Sequence, residues 1–290
     1  MSNHLKSDKK LTTIHMLVEG NSIHSTSRLT GVHRDTIGRL LLRVGAHCQE
    51  LLDQHIQGVR ASVIECDEYW TFIRKKQYHL TDSERALGLD GDWWVYTALD
   101  CDSRLVISHL VGKRDAETTR CFIRDLRARV VGRPELYTDG LDTYVDAIEQ
   151  AFGTDLKCHA QLVKNMSGHK LKSLDQRTIS GVPSRPITTS YVERHNLTAR
   201  TNCKRFTRKT NAHSKRLRFL QAATALHYAW YNFVRVHSTL RVTPAMQAGL
   251  ASEVWDLERL IPMRVASYKP QKNSKLGQHQ TCRLFLLDTS

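Results

Sequence analysis

The sequence predicts a mixed α/β fold preceded by a helical N-terminal segment. Three short strand patterns follow one another between residues 63 and 111, and helix and strand patterns then alternate as far as residue 163. A meander followed by alternating units is typical of a mixed sheet covered by helices. With 290 residues and 40% hydrophobic content, the chain can form one medium domain and a smaller one.

The N-terminal segment has the spacing of a helix-turn-helix. Ser22 can cap a second helix after a first amphipathic one, and Gly31 breaks the chain before a third helix over about residues 33–44. Ile37 and Leu40 lie on the inward face of this third helix. We predict that its outward arginines contact phosphates and base edges: Arg34, Arg39 and Arg43.

The elements of the sheet region can be read in order. Strands are predicted over residues 63–70, 93–99, 104–111, 136–138 and 157–163. Helices are predicted over 115–131, over a segment after the fourth strand that ends at about residue 152, and over 217–233. Residues 45–60 are predicted as a helical linker, and 164–186 as a polar loop containing Gly and Pro. Two basic residues that follow the first strand, Lys75 and Lys76, are further candidates for DNA contacts.

The charge balance points to a polyanionic partner. Lys and Arg number 43 against 29 Asp and Glu, a net charge of +14, and basic side chains bind nucleic acid by releasing counterions from its phosphates. The seven cysteines are scattered without a C-x-x-C pair, which indicates neither a disulfide framework nor a zinc knuckle. The N-terminal residues are polar, so we expect a cytoplasmic protein.

Three carboxylates are candidates for one metal site. Asp67 lies on the first predicted strand, Asp139 ends the fourth, and Glu193 lies on a helix over residues 190–201 whose same face carries Asn196 and Arg200. Clustered carboxylates in a basic protein favour a divalent cation, with Asn196 and Arg200 facing an anionic substrate. Turn capping and surface ion pairs are the simpler alternatives, and other acids are nearby: Glu65, Glu68, Asp100, Asp102, Asp115 and Asp142.

Three motifs in order resemble those of a known family. ECDEYW, YTDG and YVERHN, which contain Asp67, Asp139 and Glu193, are similar to the acidic motifs of the DDE transposases, specifically the insertion-sequence-one family and its relatives. GDWWVYTALDCDSRLVISHLVGKR and YNFVRVHSTLRVTPAMQAGL resemble further segments of such catalytic domains. The similarity extends over roughly residues 20–250.

This resemblance implies an RNase H-like mixed sheet with flanking helices, behind an all-α helix-turn-helix domain. It implies a catalytic triad of Asp67, Asp139 and Glu193 that binds Mg²⁺ or Mn²⁺, with two ions expected. The implied partners are double-stranded transposon ends and target DNA, and a second copy of the chain. We therefore expect a DNA-binding domain and linker over 1–58, a catalytic domain over 59–250, and a C-terminal tail of unknown role over 251–290.

The sequence departs from the family in two respects. The zinc-finger-like cysteine cluster of the founding members is not found, so end recognition would depend on the helix-turn-helix and the basic surface. The interval between Asp139 and Glu193 is longer than in retroviral integrases, which makes the predicted 164–186 loop an insertion. Two alternatives stay open: an RNase H-like nuclease without strand transfer, and a non-catalytic DNA-binding regulator derived from a transposase.

Overall fold

The N-terminal region consists of three helices and two short turns. The computed structural model describes residues 5–168 and 170–262, with helices α1 (Ser7–Val18), α2 (Ile23–Thr30) and α3 (Arg34–His55). Ser22 caps α2 as predicted, because its hydroxyl accepts the Ser25 N–H at 3.0 Å. Gly31 has φ 68°, a left-handed conformation that favours glycine and ends α2.

A six-stranded mixed sheet forms the centre of the molecule. Its strands are β1 (Val63–Ile73), β2 (Gly91–Asp100), β3 (Val106–Gly112), β4 (Glu135–Asp139), β5 (Cys158–Ser167) and β6 (Lys170–Gly181). The spatial order is β3-β2-β1-β4-β5-β6; β1, β4 and β5 are parallel, and the other pairings are antiparallel. The strand order is consistent with an RNase H-like fold.

Helices cover both faces of the sheet. The remaining helices are α4 (Asp82–Leu87), α5 (Ala116–Arg129), α6 (Thr143–Phe152), α7 (Ser190–Asn202), α8 (Leu217–Ala229) and α9 (Pro244–Gln247). Tyr96 of β2 packs on α5 and α6 on one face, whereas the next residue, Thr97, bonds to Tyr228 of α8 on the other. This alternation follows from the pleat of a strand.

Helix α3 joins the N-terminal region to the sheet region through one core. Where the sequence predicts a short helix and a separate linker, α3 continues without interruption to His55 and packs along α8. The contact is close at Gly45, where a Cβ atom would lie 2.5 Å from the Cα of Ala222. Apolar residues of α1 and α3 therefore share one buried cluster with the sheet. The domain boundary at residue 58 stays a prediction.

The prediction of a loop over residues 164–186 is largely wrong. The chain continues β5 to Ser167 and returns as β6, which pairs with β5 along its whole length and is exposed at every residue. Of the predicted C-terminal tail, residues 251–262 pack against the core through Trp255, Leu257 and Leu260, and 263–290 lie outside the described residues. No helix among the described residues is long and apolar enough to cross a membrane.

Candidate active site

Asp67 and Asp139 lie side by side because their strands are parallel neighbours. The pairing of β1 with β4 ends at Cys66 opposite Thr138, so each aspartate is the next residue along its strand. Asp139 is the last residue of β4, and its side chain accepts the N–H of Leu141 at 3.1 Å. The pairing of β1 with β4 therefore brings the two predicted aspartates to the same edge of the sheet.

A third carboxylate, Glu68, meets the two aspartates. Glu68 points to the opposite face from Asp67, yet one oxygen from each of Asp67, Glu68 and Asp139 lies within 4.8 Å of the others. This is possible because β1 extends beyond the last residue of β4 and no strand separates the two faces there. Arg114 donates to Glu68 at 2.6 Å, and its guanidinium lies 3.6 Å from Asp139.

The environment disfavours the charged form of these acids. Burial, followed by repulsion from Glu68, Asp139 and Glu193, raises the pKa of Asp67 well above its usual value. Burial and then the charge of Asp139 raise the pKa of Glu68 to about 7, and burial also raises that of Asp139. A cation between these oxygens would stabilise the ionised forms, as carboxylate ligands of hard divalent metals require.

Helix α7 lies over β1 and brings two predicted residues to the site. The Asn196 amide donates to Asp67 at 2.8 Å, in agreement with its predicted place near the acids. Glu193, one turn earlier, is bound by the Lys164 ammonium and by the Thr189 hydroxyl. Its charge contributes to the raised pKa values of Asp67 and Asp139, so Glu193 faces the site, although its oxygens are not in the three-carboxylate group.

The other residues of α7 divide between core and solvent. The Arg200 guanidinium lies 5.4 Å from the Tyr69 ring, and its Nε is buried without a partner in the described part of the chain. His195 is buried against Tyr228 and Tyr231, and burial lowers its pKa well below the usual value. Leu197 is 55% exposed whereas Asn196 is buried, so these neighbouring residues of α7 face solvent and core respectively.

The arginines predicted at the start of α3 line a basic cleft. Arg34 and Arg39 are exposed at the rim of a cleft of about 580 Å³ between the N-terminal helices and the segment 202–219, whereas Arg43 is half-buried and does not line it. Asp35 is the one acid that lines the cleft within the described residues. The basic lining also includes four residues that the sequence analysis missed: Lys204, Arg205, Lys215 and Arg218.

A second, shallower groove contains the predicted Lys75 and Lys76. Lys75 forms an ion pair with Glu84 at 2.6 Å, and the Lys76 ammonium lies 5.5 Å from the Trp70 ring. This groove and the larger cleft share Asn211 and His213, so the segment between α7 and α8 borders both. The missed residues had a sequence signal, because residues 204–218 contain seven Lys and Arg.

The acids at the sheet edge fit a divalent metal in their chemistry. All the candidate ligands are carboxylate oxygens, which Mg²⁺ and Mn²⁺ prefer, and Asn196 of α7 contacts this group through Asp67. Two cations already contact acids at this edge, because Arg114 contacts Glu68 and Asp139, and Lys164 contacts Glu193.

Comparisons with known proteins include a distant structural similarity. No protein-family model matches the sequence, and no curated protein does. Among solved structures, the chain is similar to a piggyBac transposase in a cryo-EM synaptic complex with hairpin DNA, with 9% sequence identity and a TM-score of 0.47. The similarity covers 89% of this chain and 70% of that one.

Proposed function

We propose that the protein is a DDE-type DNA transposase that cleaves transposon ends and joins them to target DNA in a metal-dependent reaction. The observation that carries this proposal is the convergence of Asp67 and Asp139 at one sheet edge, with Asn196 and Glu193 of α7 above them. These are the residues that the three family-like motifs contain. The basic clefts on the same molecule suit a nucleic-acid substrate.

Asp67, Asp139 and Glu193 are assigned as the metal ligands, and Glu68 is assigned a different role. Both oxygens of Glu68 already accept hydrogen bonds, from Arg114 at 2.6 Å and Tyr144 at 3.2 Å, and its side chain is only 2% exposed. Glu193 is 41% exposed and is held by Lys164, a flexible side chain that can move away. Glu68 therefore holds Arg114 beside Asp139, and Glu193 is free to turn towards a cation.

The chemistry follows from the charges at this edge. A divalent ion bound by these residues would activate the attacking oxygen and stabilise the leaving oxygen of a phosphodiester. Asn196 fixes the orientation of the Asp67 carboxylate through its amide. Lys164, once released from Glu193, is a cation within reach of a phosphate at the same edge. Water attack cleaves the end, and the freed 3′ hydroxyl attacks the target.

The basic lining provides a path for the DNA backbone. The predicted recognition residues Arg34 and Arg39 share a cleft with Lys204, Arg205, Lys215 and Arg218, and the adjoining groove adds Lys75 and Lys76. Arg43 and Arg200 complete the set proposed to contact DNA or support that contact. A helix-turn-helix that places the first turn of α3 against a base edge would supply specificity, and the lysines would supply affinity.

Single substitutions test the assignment of the acids. Asp67→Asn, Asp139→Asn and Glu193→Gln should each abolish cleavage of a duplex carrying the sequences that flank the gene, with DNA binding kept. Glu68→Gln, a variant of matched chemistry, should weaken but not abolish cleavage, because Arg114 can still donate to the amide oxygen. Mn²⁺ affinity, measured by electron paramagnetic resonance, should fall strongly in the three ligand variants and less in Glu68→Gln. Full cleavage by the Glu193 variant would remove Glu193 from the ligand set.

A second candidate function shares the same acids. An RNase H-like nuclease would use Asp67 and Asp139 without joining strands, so cleavage alone does not separate the two functions. Incubation with pre-cleaved ends and a supercoiled target separates them, since a transposase produces joined products and a nuclease does not. A non-catalytic regulator predicts neither product and no effect of the acid substitutions on DNA binding.

A further inference from the structure

The helix that carries Glu193 and Asn196 has a local acceptor for its first N–H, that of Ser190, which donates to the Thr188 hydroxyl at 3.0 Å, but the side chain of its N-cap residue caps none of the N–H groups that follow. The residue before α7, Thr189, uses its hydroxyl to donate to the Glu193 carboxylate and caps no backbone N–H. The first N–H groups of a helix have no partner within the helix and need an acceptor from elsewhere. Val192, in the first turn of α7, is fully buried, so water cannot serve as the acceptor.

The acceptor is a buried carboxylate on the central strand. Glu65 of β1 is fully buried, and its Oε2 accepts the Val192 N–H at 2.8 Å, although the two residues are 127 positions apart. A carboxylate is well suited to this place because the N-terminus of a helix carries partial positive charge. Glu65 is thus a cap for α7 that is supplied by the sheet.

A second bond joins the same strand to the same helix one turn further on. Asp67, two residues after Glu65 and on the same face of β1, accepts from Asn196, which is four residues after Val192. Two strand residues span roughly 6.6 Å and four helix residues about 6.0 Å. The spacing between the two hydrogen bonds is therefore similar along β1 and along α7. Together they fix both the position of α7 along β1 and its rotation.

We infer that Glu65 is a positioning residue, which sets the register of α7 on β1 and so places Glu193 and Asn196 over Asp67. This inference rests on the proposed function of those three residues. A helix that slips by one residue rotates by about 100°, which would carry Glu193 away from the sheet edge. Glu65 therefore acts through α7 and does not itself contact the substrate or the metal.

Substitutions of Glu65 in the full chain test this role. Glu65→Gln keeps an oxygen acceptor, and kcat for cleavage should stay within about fivefold of the parent. Glu65→Leu removes the acceptor, and kcat should fall by about 100-fold, because small misplacements of reacting groups cost this much. KM for DNA should be unchanged, and the Kd for Mn²⁺ should rise about tenfold. Asp100→Asn is the matched control, since Asp100 is a buried acid whose carboxylate accepts from Asp102 and Ser103 and not from a backbone N–H of α7.

Hydrogen exchange gives a readout that does not depend on activity. Amides of residues 190–196 should exchange faster in Glu65→Leu than in the parent, with β2 and β3 unchanged, whereas general destabilisation would accelerate all of them. If Glu65→Leu does not fold, Glu65→Asp carries the test, because it withdraws the oxygens by one methylene and keeps the charge. Its kcat should also fall with KM unchanged.

The outcomes separate this inference from the proposed function. Parental kcat, Mn²⁺ affinity and exchange in folded Glu65→Leu or Glu65→Asp would overturn the positioning role. Cleavage that persists in Asp67→Asn would overturn the proposed function instead, whatever Glu65 does. An inactive Asp67→Asn beside a fully active Glu65→Asp would leave the active site standing and remove only the role of Glu65.

Discussion

Replacing Asn196 by alanine tests whether α7 acts on the chemistry or only covers the sheet. The Asn196 side chain is 4% exposed, and its amide donates to Asp67 at 2.8 Å. A hydrogen bond to a charged group contributes about 1.5–3 kcal/mol. If Asn196 orients the Asp67 carboxylate in the transition state, a loss of about 2 kcal/mol should lower kcat roughly 30-fold.

The assay is single-turnover cleavage of flanking-sequence DNA at saturating Mg²⁺. Arg194→Ala is the control on the same helix, because Arg194 is exposed and makes no contact with the acids in the described chain. Asn196→Asp is the sharper variant, since it places a further negative charge against Asp67 and should raise the Mg²⁺ concentration needed for activity. A folded Asn196→Ala protein that cleaves at the parental rate would refute the orienting role.

Three further tests concern the packing of α3, the titration of a buried histidine and DNA binding. Gly45→Ala puts a Cβ 2.5 Å from Ala222 and should lower the free energy of unfolding by about 1–3 kcal/mol in urea, and adding Ala222→Gly should restore only part of it because backbone atoms also clash. Burial lowers the pKa of His227 to about 3, so protonation of this histidine in the unfolded chain below pH 6.5 should cost the parent about 2 kcal/mol of stability at pH 5. His227→Gln should remove this contribution and keep that of the buried His195, so its loss of stability on acidification to pH 5 should be about 2 kcal/mol smaller; equal slopes would contradict this. Lys215→Ala with Arg218→Ala should reduce the slope of log Kd for DNA against log salt by about 2 and leave Mn²⁺ affinity unchanged, and an unaltered slope would place the DNA elsewhere.

The sequence predicts the strands of the sheet well because burial leaves a pattern. The first strand, the meander and the end of the fourth strand at Asp139 are all confirmed, and they bring Asp67 and Asp139 together. Strand β6 leaves no such pattern, because all its residues are exposed and hydrogen bonds to β5, rather than burial of apolar side chains, hold it. Composition alone therefore indicated a loop.

Contacts between distant residues explain what sequence reasoning missed at the site. The sequence predicts a third helix that ends at about residue 44 and a helical linker over 45–60, whereas α3 is continuous there and Gly45 allows the close approach of α8. Glu65 and Glu68 were only two acids among several until the fold placed Val192 beside one and Arg114 beside the other. Lys164 and Glu193 lie on different elements, and no local pattern links them.

The unbroken course of α3 has a geometric consequence for any DNA that the protein holds. Its 22 residues extend for about 33 Å, close to one turn of B-DNA, from the exposed Arg34 to the point where the chain enters the sheet region. Because Gly45 seats this helix on α8, α3 shares one buried core with the sheet whose edge carries the acids. Under the proposed function, the fold would set the distance along the DNA between the sequence that the first turn of α3 recognises and the point of cleavage. Inserting a few base pairs between the recognised sequence and the cleavage point should then stop the reaction, and a full helical turn of added DNA should not rescue it.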